Sequence, residues 1–183
     1  EAAYLLRQKF FDVRVLFAGN PGSLPKDAAG AYQRFVDSGG TTSESIPAET
    51  RWSLIIDGLF GIGLTRPVEG GYAEWISAAN QLKQRDACPL LALDCPSGLN
   101  ADTGMTLGDT ICASHTITFI AAKPGLLTGD GPDHSGEIRV ANLELKPEIN
   151  QQPDGKRLTL TDFSAHLKAR LKNSHKGSFG SLG

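Results

Sequence analysis

Short continuous apolar runs alternate along the chain with stretches whose apolar residues recur every three or four positions. The runs at 12–18 (DVRVLFA), 52–57 (WSLIID), 88–94 (CPLLALD), 115–121 (HTITFIA) and 136–143 (GEIRVANL) predict strands. The opening EAAYLLRQ reads as the middle or end of a helix. A second helix is predicted over 25–37, where Tyr32, Phe35 and Val36 share a face, Pro25 opens the segment and Gly39-Gly40 closes it. A third is predicted over 70–82, with Tyr72, Trp75, Ile76 and Ala79 on one side. Near-continuous apolar strands between helices imply a mostly parallel sheet covered on both faces. Ligands bind outside the carboxyl ends of such strands. Two of the runs end there in an aspartate, Asp57 and Asp94, which places two carboxylates on one rim.

Composition narrows the functional classes. The chain has 183 residues, 40% of them hydrophobic, enough for one packed domain plus a remainder. Its formal net charge of −2, with no long run of one sign, argues against general electrostatic binding to nucleic acid or anionic lipid. No apolar run approaches the ~20 residues of a membrane span. The three cysteines, Cys88, Cys95 and Cys112, include no C-x-x-C pair and read as small buried residues of a reduced, cytoplasmic protein. The 21 glycines and 10 prolines are grouped, and the groups fall in the turns that follow the apolar runs.

The turn after Asp57 is Gly58-Leu59-Phe60-Gly61-Ile62-Gly63-Leu64-Thr65-Arg66-Pro67. Its glycines let backbone N–H groups approach an anion, and Arg66 adds a charge for phosphate. It lacks the third glycine of the dinucleotide fingerprint, so the segment reads either as a binding turn or as a tight strand-to-helix connection. The turn after Asp94 is Cys95-Pro96-Ser97-Gly98-Leu99-Asn100. A carboxylate and a hydroxyl three residues apart, with free carbonyls, suit a hard cation; the alternative is that both groups only cap backbone. Pro-Ser-Gly is not a nucleophile elbow, and His115 and His134 have no fixed distance to Ser97. Lys123, held extended by Pro124, either meets a phosphate, neutralises the two aspartates or stays solvated at the rim.

Together the motifs DGLFGIGLTRPVEG, LALDCPSGLNADTG and TFIAAKPGLLTGDGPDHSGEIRVANL resemble the YjeF N-terminal family of NAD(P)H-hydrate epimerases over roughly residues 1–145. The resemblance implies a Rossmann-like α/β three-layer sandwich acting on NADHX and NADPHX, hydrated forms of the reduced nicotinamide cofactors. It implies a potassium ion held by Asp57 and Ser97, and substrate contacts from Gly61, Ile62, Gly63, Leu64, Thr65, Arg66, Pro67 and Asp94. It also implies that the domain can form homo-oligomers. The tail Ser174-His-Lys-Gly-Ser-Phe-Gly resembles the opening of the ADP-dependent (or ATP-dependent) NAD(P)H-hydrate dehydratase of ribokinase-like fold.

These likenesses predict an epimerase domain over 1–146 and the start of a dehydratase over 158–183; between them the Pro, Gln, Asn and Asp composition of 147–157 reads as a linker, and 158–170 offers a strand end and a helix capped by Thr161 or Asp162. The family's Asn-Asn-Gly-Gly-Asp loop is expected just before Glu1, so a piece bounded as here is expected to be impaired when made alone. Epimerisation at C6 of the damaged ring needs proton transfer, and Asp94 is the expected general acid/base, since burial and a neighbouring carboxylate favour its protonated form. The competing class is a non-catalytic scaffold or binding module of the same fold; the joint presence of Asp57, Asp94 and Ser97 favours the enzyme.

Overall fold

A computed structural model describes residues 1–47, 49–145, 155–164 and 173. The chain forms two compact units, 1–52 and 53–183. The first holds two helices, α1 (Ala2–Gln8) and α2 (Lys26–Asp37), and two parallel two-residue strands, β1 (Val15–Leu16) and β2 (Thr42–Ser43). Arg7 reaches from α1 to the end of α2, donating to the Ser38 carbonyl at 2.8 Å and its hydroxyl at 3.3 Å. The 12–18 run pairs only at residues 15 and 16, because its partner is two residues long and polar.

The second unit carries a four-stranded sheet, β3 (Ile55–Asp57), β4 (Leu90–Leu93), β5 (His115–Phe119) and β6 (Glu137–Ala141), in that spatial order and parallel throughout. The mixed α/β class and the parallel sheet agree with the sequence expectation. Each strand is shorter than its apolar run. Between β3 and β4 lies α3 (Gly71–Asp86), which continues past the predicted end at 82. Lys83, Gln84 and Arg85 are good helix formers, and the two cations suit the negative end of the helix dipole; Ala87 then stops the helix in a left-handed conformation. A short helix absent from the sequence reading, α4 (Gly131–Ser135), precedes β6. GPDHS is too short to show a period. Tight packing dictates its place, since a Cβ on Gly131 would lie 1.8 Å from the Gly125 carbonyl oxygen.

The main core joins Ile76 of α3 to Leu90 and Ala92 of β4, with Val68, Ile111 and Ala113. A second cluster gathers Cys95, Leu99, Ala101 and Leu126 under the rim, with Ile138 against it. Full burial of a side chain such as Ile76 or Leu99 contributes about 1.5–3 kcal/mol. Tyr72, expected on the buried face of α3, stays 37% exposed and stacks edge-on with Phe60 (5.2 Å) and Trp75 (5.8 Å). Near the end of the described chain, Thr159 rather than Thr161 or Asp162 caps the turn Leu160–Phe163, and Asp162 closes the capping box. The helix expected to run on to 170, most of the 147–157 linker and the 174–180 motif lie outside the described residues.

Candidate functional site

β4 and β5 leave the sheet in the same way. Asp94 follows β4 with φ 69°, and the Cys95 N–H bonds back to the Leu93 carbonyl at 2.9 Å. Ile120 follows β5 with φ 70°, and the Ala121 N–H returns to the Phe119 carbonyl at 2.8 Å. Both are γ-turns of the strained, positive-φ form. The first swings the Asp94 side chain over the rim. Its Oδ1 takes the Lys123 ammonium at 2.7 Å and faces Thr118 Oγ1 (3.4 Å) and the Phe119 N–H (3.5 Å). Its Oδ2 faces Gly61, where a Cβ would lie 3.2 Å away.

Asp57, the last residue of β3, is 5% exposed, whereas the Asp94 side chain is 21% exposed. The burial expected at Asp94 therefore falls on Asp57. Desolvation pushes the Asp57 carboxyl above the usual carboxylate range, although Ser97 and Leu59 work against it. The Ser97 hydroxyl donates to Oδ1 at 2.6 Å, the Ser97 N–H to Oδ2 at 2.8 Å and the Leu59 N–H to Oδ1 at 3.3 Å. The Ser97 hydroxyl in turn accepts from the Phe60 N–H at 3.0 Å. The two turns are thus stitched together, and Asn100 adds a bond from its amide to the Leu64 carbonyl at 3.4 Å. Beneath them the Cys95 thiol is pushed up to about 12, by burial first and then by Asp94 and Asp57.

Leu59, Phe60, Gly61, Gly63, Leu64, Thr65 and Arg66 line a cleft of about 300 Å³ on this rim. Ile62, expected among the substrate contacts, points outward at 61% exposure. A larger groove of about 580 Å³ runs along α3, lined by Glu74, Ser77, Gln81 and Asp109 among others, and contains none of the sequence candidates. His115 faces Glu137 at 3.8 Å, and the His134 ring lies 3.0 Å from the Ile111 carbonyl and 3.6 Å from Cys112. The Ser97 hydroxyl is given to Asp57, so no histidine stands in the place of a base. Lys123 joins Asp94 and not Asp57. Several contributors went unread in the sequence: the N–H groups of Leu59, Phe60 and Phe119, which nothing in a side-chain pattern marks, and Thr118. Thr118 left a signal, because Thr116 and Thr118 alternate on the buried side of β5.

The Asp57 carboxylate and the Ser97 hydroxyl offer oxygen atoms beside the N–H groups of Ser97, Leu59 and Phe60, and among the described residues no cationic side chain lies within ion-pair distance of this buried carboxylate. A hard cation suits such a place. No cluster of three His, Cys, Asp or Glu side chains occurs among the described residues.

Residues 1–125 match the family described as YjeF-related protein N-terminus. The chain belongs to that family. It is 37% identical over 182 residues to the bifunctional NAD(P)H-hydrate repair enzyme Nnr of Escherichia coli (strain K12), covering 98% of this chain and 35% of that protein. A bifunctional NAD(P)H-hydrate repair enzyme of Leishmania major is 37% identical over 181 residues, 92% of this chain and 31% of its own length. The NAD(P)H-hydrate epimerase of Bordetella pertussis (strain Tohama I) is 38% identical over 150 residues, 80% of this chain and 64% of that protein. The chain thus spans about a third of the length of these bifunctional relatives. Among solved structures, yeast ynu0 superposes with a TM-score of 0.63 at 14% identity, over 86% of this chain and 68% of that one, which shows a common fold.

Proposed function

We propose that the chain is the epimerase part of a nicotinamide-repair enzyme, interconverting the R and S forms of NADHX and NADPHX. The observation that carries this reading is the Asp94 carboxylate, lifted onto the rim by its γ-turn with Oδ2 facing the glycine turn. The names of the relatives supply the substrate class. Inversion at C6 of the hydrated ring proceeds by loss and re-addition of water or by ring opening. Either course takes one proton from an oxygen and returns one. Asp94 exchanges that proton at Oδ2, while Oδ1 stays tied to Lys123. Gly61–Pro67 and Arg66 receive the diphosphate or ribose, the backbone N–H groups aligning the cofactor and the guanidinium balancing its charge.

Asp57 and Ser97 are the residues that would hold potassium, which would supply positive charge to the site. The support is the buried carboxylate without a cationic side-chain partner among the described residues. The motif at 174–180 supports a dehydratase using ADP or ATP as a companion activity to this epimerase part. Among the described residues no helix is long and apolar enough to cross a membrane. The cytoplasm, where reduced cofactors are spent, is the proposed location.

The test is Asp94→Asn in the full-length protein that carries this chain, followed by epimer exchange of NADHX. Exchange falls by about 10²–10⁴ if Asp94 is the acid/base. Unchanged exchange by a folded variant sinks that role.

A further inference from the structure

Nothing in the burial of Ile120 explains its backbone. A β-branched residue at φ 70° is an outlier, yet its side chain is 46% exposed and gains little from packing. Strain of this kind persists only where the surroundings over-determine it. Here the Ile120 N–H is fixed to the Ala141 carbonyl at 2.8 Å and the Ala121 N–H to Phe119 at 2.8 Å. The turn sends the chain back across the end of β5. Pro124 then holds Lys123 in extended backbone, φ −81° and ψ 139°. The lysine stem folds over its own strand, so that Nζ donates to the Phe119 carbonyl at 2.8 Å and to Asp94 Oδ1 at 2.7 Å, with the side chain 18% exposed.

β4 and β5 are neighbours in parallel register, with Leu93 opposite Ile117, so matching γ-turns end both strands on the same rim. One presents the carboxylate. The other presents, three residues on, the ammonium that meets it.

We propose that Lys123 is the positioning residue of Asp94, and that the strained turn at Ile120 exists to deliver it. This rests on the epimerase reading of the site. Lys123, with Thr118 and the Phe119 N–H, occupies Oδ1 and so selects Oδ2 as the oxygen that reacts. A lysine that only neutralised the rim would have no need of a second anchor on Phe119 or of a strained turn before it.

The experiment measures kcat and KM for NADHX epimer exchange in the full-length protein. Lys123→Met keeps the apolar stem and removes the charge; kcat falls about tenfold or more while KM stays within about twofold. Lys123→Arg recovers most of the loss, because a guanidinium still reaches Oδ1. Ile120→Gly takes φ 70° without strain, so it unfolds at an unchanged or higher temperature and keeps kcat within about twofold, whereas a folded Ile120→Pro, which cannot take a positive φ and lacks the N–H held by Ala141, loses kcat several-fold. A folded Lys123→Met variant with kcat within about twofold of the parent overturns the proposal, and an unaffected, folded Ile120→Pro overturns the part assigned to the turn.

A second readout needs no activity. Reductive methylation by formaldehyde and borohydride, followed by mass spectrometry, modifies Lys123 several-fold more slowly than the exposed Lys26, and Asp94→Asn removes that protection. Labelling of Lys123 as fast as Lys26 in the unmutated protein overturns the pairing. No exchange by the unmutated protein, with Lys123 still protected, overturns the epimerase reading instead and leaves the pairing standing.

Discussion

Replacing Ser97 with alanine tests whether the two rim turns are held by one hydroxyl. The side chain is fully buried, donates to Asp57 at 2.6 Å and accepts from the Phe60 N–H at 3.0 Å. The bond from the Ser97 N–H to Asp57 is backbone and survives. A hydrogen bond to a charged group contributes about 1.5–3 kcal/mol, and leaving the Phe60 N–H without its acceptor costs about 1 kcal/mol more. Water that enters the space offsets part of this, so the expected loss is about 2–4 kcal/mol. At about 3 °C per kcal/mol for a chain of this size, the Tm falls by about 6–12 °C. The assay is thermal unfolding followed by circular dichroism in a choline buffer, so that a bound alkali cation cannot mask the change. Ser45→Ala, at an exposed position, is the control and shifts stability by less than about 0.5 kcal/mol. A Ser97→Ala loss as small as the control's would refute the reasoning, since the hydroxyl would then hold neither Asp57 nor the glycine turn.

Gly61 and Gly63 should part company: a Cβ at 61 comes within 3.2 Å of Asp94 Oδ2, while one at 63 meets nothing within 4 Å. Gly61→Ala therefore lowers kcat for epimer exchange at least about tenfold in a folded protein, whereas Gly63→Ala, in the same binding turn but clear of Asp94, acts on KM and lowers kcat far less; equal effects on kcat would count against Oδ2 as the reacting oxygen. If Asp57 and Ser97 hold potassium, KCl raises the Tm over choline chloride at equal ionic strength, by about 2.7 kcal/mol of stabilisation at a hundredfold excess over Kd, and Asp57→Ala abolishes the difference. Cys95 is buried and its thiol is pushed up to about 12, leaving a thiolate fraction of about 10⁻⁴ at pH 8. Iodoacetamide should therefore modify the half-buried Cys112 first and Cys95 only on unfolding, as peptide mass spectrometry will read.

The strands were visible in the chain because each is a local apolar run, and the pairing of such runs in parallel puts Asp57 and Asp94 on one rim without further information. Their lengths were not visible. A run pairs only as far as its neighbour extends, so 12–18 contributes two residues to a sheet and β2, a Thr-Ser pair, exists only through its partner. α4 was hidden for a similar reason: five residues carry no period, and the close approach of Gly131 to Gly125 locates it.

At the rim the division is sharper. The residue types that can do the chemistry, two carboxylates, a hydroxyl, a lysine and a glycine turn, stand in the sequence at strand ends, and near-neighbour chain connectivity is enough to bring them to one edge. Which carboxylate is buried is a different kind of fact. Sequence reasoning put the desolvation on Asp94, but burial depends on what lies above a residue, and a γ-turn lifts Asp94 outward while the Ser97 turn closes over Asp57. The choice between the two oxygens of Asp94 is likewise made by Lys123, twenty-nine positions on. Chain order sets which residues reach the rim; partner, exposure and direction are properties of the space between two turns, and only the packed fold defines that space.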